Sequence, residues 1–174
     1  MALTHTLARR KAKELLRSTN VAGAPVPVEE IVNHVGARIR MEPFDGEVSG
    51  LLYRQKSGRP VIGVNSMHSL TRQRFTIAHE LAHLVLHKNE ELHVDEQAPI
   101  RFRDKTSSRA VDRAEIEANQ FAAELLMPYD FLTQEINQLP DGIPTEEGIR
   151  RLAERFIVSE QAMTFRLSGL GLLH

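Results

Sequence analysis

The chain has no cysteine and no tryptophan, and aromatic residues make up only 5% of it. Without cysteine there can be neither a disulfide nor a thiolate metal site. Histidine and carboxylates remain as metal ligands, and a reducing, cytoplasmic setting fits. No apolar run approaches the roughly 18 to 20 residues of a membrane span, and the N-terminus lacks a signal-peptide apolar core. Neither sign of charge dominates: 22 Lys and Arg stand against 23 Asp and Glu, a formal net charge of -1. The chain as a whole therefore offers no electrostatic case for nucleic acid or an anionic membrane as its main partner. At 174 residues, with 41% apolar and 26% charged residues, it can bury one sizeable core.

What is present centres on Thr76-Ile77-Ala78-His79-Glu80-Leu81-Ala82-His83-Leu84-Val85-Leu86-His87. This is His-Glu-x-x-His inside an apolar run free of Gly and Pro, and it predicts a buried helix. Residues four apart share a helix face, so the imidazoles of His79 and His83 can grip one metal ion, with zinc the expected ion. Glu80 would face the water activated by that metal and take its proton during attack on a carbonyl, the chemistry of peptide hydrolysis. A core helix with polar residues at its edge is the plain alternative. Against it, burying three such polar groups without partners would cost roughly 1 to 3 kcal/mol each.

The rest of the chain reads as α+β, mainly helical, with a small sheet or hairpin before the metal helix. Met1 to Arg17 is basic and poor in acids, as a transit peptide would be, but Leu3, Leu7, Leu15 and Leu16 supply an apolar stripe for a docked first helix. Pro27 to Val32 opens a short helix that Gly36 ends. Ala37 to Pro43 and Gly50 to Arg54 look extended, Lys56 to Pro60 is a turn, and Val61 to Val64 is a buried strand. Gly50 to Arg54 could be an edge strand that binds an extended peptide by strand addition, or an ordinary structural strand. Ser69 or Thr71 caps the metal helix. Lys88 to Asp112 is polar and irregular, a long mobile loop that is either a lid or disordered.

A catalytic zinc usually has three protein ligands. Asp112 to Pro128 is rich in Ala, Leu and Glu and predicts a helix with Ile116, Phe121, Leu125 and Leu126 toward the core. On another face Glu115 can reach the zinc and Asn119, one turn on, can support a ligating His. Small Ala118 and Ala122 would let this helix lie close to the first. Glu117 is the rival ligand, since a helix cannot aim both glutamates at one ion. His87 reads as a solvated helix end, and His93 as an oxyanion donor or a bystander. The long metzincin pattern fails because its third His would fall at Asn89.

Together, His79-Glu80-Leu81-Ala82-His83 and Glu115-Ile116-Glu117-Ala118-Asn119-Gln120-Phe121-Ala122-Ala123-Glu124-Leu125-Leu126-Met127-Pro128 resemble the ImmA/IrrE family of zinc metallopeptidases. The match extends back through Arg74 to Ala78 and the preceding strand. The resemblance implies a zincin-like, gluzincin-type site in which His79, His83 and Glu115 bind Zn2+ and Glu80 is the general base. It favours Glu115 over Glu117, because related metallopeptidases keep an Asp or Asn where Asn119 stands. It further implies a bacterial or phage endopeptidase that cleaves a helix-turn-helix repressor and so switches on the repressed genes.

Residues 1–139 are expected to form the peptidase domain and residues 140–174 a C-terminal helical pair packed on it. Thr145 and Ser159 are natural N-caps, Pro140 to Pro144 is a break, and the rhythm of Leu152-Ala153 through Phe156, Val158 and Ser159 is that of a helix-turn-helix. Its second helix offers only Arg166 for phosphates, a poor basis for direct DNA binding. Two other readings stand beside the enzyme: a catalytically silent module that sequesters a transcription factor, and a DNA-binding regulator built on the C-terminal helices.

Overall fold

A computed structural model describes residues 2–45, 48–87, 92–96, 105–139 and 145–173. Among them the order is α1 (Ala2–Ser18), α2 (Val28–His34), β1 (Arg38–Glu42), β2 (Val48–Tyr53), β3 (Val61–Asn65), α3 (Leu70–Leu86), β4 (Leu92–Glu96), α4 (Lys105–Leu126), α5 (Tyr129–Ile136), α6 (Glu146–Phe156) and α7 (Glu160–Gly169). This is the expected α+β fold, mainly helical with a small sheet.

The sheet order is β1-β3-β2-β4, with β1 parallel to β3 and β2 antiparallel to both β3 and β4. The β2–β3 hairpin precedes α3 as expected. Its edge does not lie where the sequence suggested. The segment Gly50 to Arg54 belongs largely to β2, which is paired on both sides, so its backbone groups are engaged and cannot accept an added strand. Beside α3 the outer strand is β4.

Side chains alternate across β2 and β3, so Leu52, Ile62 and Val64 are fully buried toward the helical layer. Gly50 shares that face. A Cβ there would stand 2.4 Å from Thr76 Cγ2 and 2.9 Å from the Gly63 carbonyl oxygen. Lack of a side chain at Gly50 lets α3 seat directly on the sheet.

The segment read as a loop from Lys88 to Asp112 contains β4 and the first turns of α4; its remainder, residues 88–91 and 97–104, lies outside the described residues, and the lid reading with it. The Pro140 to Pro144 break is outside them too. In α4, Phe121, Leu125 and Leu126 are buried, but Ile116 is 56% exposed. The core stripe runs through Ala118, Phe121, Ala122 and Leu125, and Ile116 sits about 200° round the helix from Ala118. In α1 the buried stripe is Ala8, Ala12 and Leu16, with Leu7 at the surface.

The C-terminal helices share this core. Phe156, Met163 and Leu167 are fully or almost fully buried. Ile157, at φ 53°, makes the turn after α6, and the Thr145 and Ser159 hydroxyls accept from the backbone N–H of Gly148 and Ala162. Arg166 is buried and donates from Nη2 to Glu124 Oε2 at 2.5 Å and from Nε to the Met127 carbonyl at 3.0 Å. It therefore ties α7 to α4 and does not face a phosphate backbone.

Candidate metal centre

Helix α3 starts at Ser69, whose hydroxyl accepts from the Arg72 N–H. It ends under Arg54, which donates from Nη2 to the carbonyls of His83 at 2.6 Å and His87 at 2.5 Å. The His83 carbonyl already accepts from the His87 N–H; the guanidinium adds a second donor there, partners the His87 carbonyl beyond the last turn and complements the helix dipole. The helix is thereby fixed at both ends around His79, Glu80 and His83, all buried.

The two imidazoles turn Nε2 toward each other, 3.1 Å apart. Glu115, carried in by α4, places Oε2 3.2 Å from His79 Nε2 and Oε1 3.3 Å from His83 Nε2. One ligand atom from each of His79, His83 and Glu115 lies within 4.8 Å of the others. Two imidazole nitrogens and one carboxylate oxygen form a donor set suited to zinc with a position left open. Glu80 is fully buried and its Oε1 has no hydrogen-bond partner among the described residues. A buried carboxylate oxygen is costly to leave unpaired, and here it lies beside a convergence of metal-type donors. The residues present thus fit the metal.

Both histidines are held from behind. Asn119 Oδ1 lies 3.0 Å from His79 Nδ1, placed to accept a proton from it and so to favour the tautomer that offers Nε2 to an ion. For His83 the support is His87, whose Nδ1 is 3.3 Å from His83 Nδ1 and whose Nε2 is 3.0 Å from Glu117 Oε2. Arg113 donates to the other Glu117 oxygen at 3.0 Å. Glu117 thus stands one layer behind the candidate ligands, and His87, read from sequence as a solvated helix end, is the link between them.

His93 is the residue the sequence left undecided. It lies on β4 opposite Leu52, stacks on His83 with ring centroids 3.7 Å apart, and bridges Glu80 Oε2 at 3.1 Å and Glu115 Oε1 at 3.0 Å. The alternation of Leu92, His93 and Val94 is the local signal for a strand, but it would have turned His93 outward, whereas here Leu92 and Val94 are exposed at 56% and 38% and His93 faces the site.

These contacts shift ionisation. Burial opposes the charged form of Glu115, but hydrogen bonds from His79, His83 and His93 outweigh it and hold the carboxyl below the usual range. Burial pushes the His83 imidazole down, toward the neutral form that a metal ligand needs. Burial works against charging His93 as well, yet Glu115 and Glu80 together push it up to about 10.

The family description "IrrE N-terminal-like domain" matches residues 32–168. An uncharacterized immunity region protein 2 of Bacillus phage phi105 is 27% identical over 99 residues, which is 57% of this chain and 57% of that protein. The chain thus spans little more than half the length of this relative. A Mycobacterium tuberculosis transcriptional regulator of known structure superimposes with a TM-score of 0.62 at 19% identity, covering 97% of this chain and 47% of that one. At that identity the likeness is one of fold.

Proposed function

The chain belongs to the ImmA/IrrE family of metallopeptidases, and from that premise we propose that it is a zinc-dependent endopeptidase acting on a helix-turn-helix repressor. The observation that carries this reading is the convergence of His79, His83 and Glu115 beside the unpartnered buried Oε1 of Glu80. His79 Nε2, His83 Nε2 and a Glu115 oxygen would hold the ion. When bound, zinc supplies Lewis acidity, polarising a carbonyl and lowering the pKa of water to roughly 7.

The protein's own groups do the rest. Oε2 of Glu80 is held by His93 at 3.1 Å, so Oε1 is the atom free to take a proton from the attacking water. That proton then goes to the leaving amine nitrogen as the peptide C–N bond breaks, and water is consumed to give one carboxyl and one amino terminus. Asn119 and the His87–Glu117 pair keep the two ligand nitrogens aimed inward. Among the described residues β4 is the outer strand beside these groups, and its free side could pair with an extended segment of substrate.

A repressor target is supported by the family and by the phage relative being an immunity region protein. The experiment is to express the wild-type chain and Glu80→Gln in matched cells and map all new protein N-termini by mass spectrometry. New termini in a helix-turn-helix protein with the wild type alone are expected. Their absence, with zinc bound, would favour a silent module that works by sequestration.

A further inference from the structure

A groove of about 690 Å³ opens between the first half of α3, the second half of α4, and α7. It reaches the metal centre at two points: Asn119, which supports His79 at 3.0 Å, and Phe75, whose ring centroid is 6.3 Å from that of His79. Its apolar surface is given by Phe75, Ala123, Met127 and Phe165. Phe165 is 69% exposed although its neighbours Met163 and Leu167 are fully buried, so α7 turns an aromatic ring out of the core and into this groove.

The charge on the walls is one-sided. Arg9 and Arg72 line the groove, and no carboxylate does so among the described residues. Nearby Glu124 is already shared by Arg166 at 2.5 Å, Lys13 at 3.8 Å and Arg9 at 4.0 Å, which leaves an excess of positive charge. Both α3 and α7 begin at the rim, at Ser69 and Ser159, and their N-terminal dipoles carry the same sign.

We propose that this groove binds the stretch of the protein substrate flanking the scissile bond, and that it selects a large apolar side chain next to a carboxylate. This inference rests on the peptidase reading. From His79 back to Ser69 the helix rises about 15 Å, the length of roughly four or five residues of extended chain at about 3.3 Å each. The ring of Phe165 with the side chains of Ala123 and Met127 takes the apolar group; Arg72, anchored by its 2.9 Å bond to Ser49 on β2, takes the carboxylate.

The test is fluorescence anisotropy on the zinc-loaded, full-length Glu80→Gln protein. The probes are fluorescein-labelled peptides of equal length, one alternating Leu and Glu, one Leu and Lys, one Ser and Glu. The Leu/Glu peptide should bind best and weaken with added salt. Phe165→Ala, which exposes no core, should weaken it about tenfold, and Arg72→Ala should reduce its preference over Leu/Lys. Equal binding of Leu/Glu and Leu/Lys, no binding of Leu/Glu, or indifference to Phe165→Ala would overturn the proposal. If the pattern holds while the zinc-loaded wild type cleaves no protein, the groove is a peptide site with this selectivity, and its place beside a scissile bond falls with the peptidase reading.

Discussion

Substitution of Gly50 by Ala probes the packing that sets the site. The added Cβ would stand 2.4 Å from Thr76 Cγ2, 2.9 Å from the Gly63 carbonyl oxygen and 3.6 Å from Glu80 Cγ, whereas non-bonded carbons prefer about 3.5 to 4.0 Å. Thr76 is buried and Gly63 is held in the β2–β3 ladder, so relief requires α3 to lift from the sheet by about 1 Å. Overpacking of this kind costs about 1 to 3 kcal/mol, or roughly 2 to 12 °C in Tm for a chain of this size. Glu80 rides on the displaced helix, and a misplacement of about 1 Å can lower turnover by about 100-fold. Thermal unfolding and peptide hydrolysis by the zinc-loaded protein read the two effects separately. Thr76→Ser removes the closest atom, so Gly50→Ala combined with Thr76→Ser should recover part of the loss. Gly23, where a Cβ meets nothing within 4 Å, is the control: Gly23→Ala should be neutral or stabilise by up to about 1 kcal/mol. Unchanged Tm and turnover in Gly50→Ala would refute the direct seating of α3 on β2.

Glu80→Gln should keep zinc while abolishing cleavage, and an active Glu80→Gln protein would exclude the assigned base. His87→Ala removes the group behind His83 Nδ1 and should weaken zinc binding by about 10- to 100-fold, read by competition with a chromophoric chelator; unaltered affinity would show that the His87–Glu117 contact is incidental. Arg166→Met leaves Glu124 buried beside only the more distant Lys13 and Arg9, and should cost about 3 kcal/mol or more in denaturant unfolding, with a stability equal to wild type contradicting the role assigned to the pair. Because zinc competes with protons for His79 and His83, occupancy at limiting zinc should fall as the pH is lowered below about 6. Occupancy independent of pH in that range would argue against imidazole ligands.

Helix α3 was legible because its signals are local: an apolar run without breakers, with two histidines one turn apart on one face. The N-caps Thr145 and Ser159 and the β2–β3 hairpin were legible for the same reason, and Ser69 as one of two candidate caps beside Thr71. What escaped the sequence depends on distant chain. The pairing of β2 with β4 could not be read from Gly50 to Arg54, and Leu92 to Glu96 carries charges that mask its alternation. Ile116 looks like core by composition, yet the phase of α4 is set by Ala118 and Ala122 against α3. His87, His93 and Glu117 acquire meaning only where α3, α4 and β4 meet.

Ligation of zinc by His79, His83 and Glu115 is read from the zinc content of protein purified without added metal, measured by mass spectrometry for wild type, Glu115→Ala and Glu117→Ala, each then saturated with zinc and desalted. A single zinc per chain is expected in the wild type, with loss in Glu115→Ala and retention with weaker affinity in Glu117→Ala. Zinc kept by Glu115→Ala and lost by Glu117→Ala, or a wild type that takes up none, would contradict this ligand set.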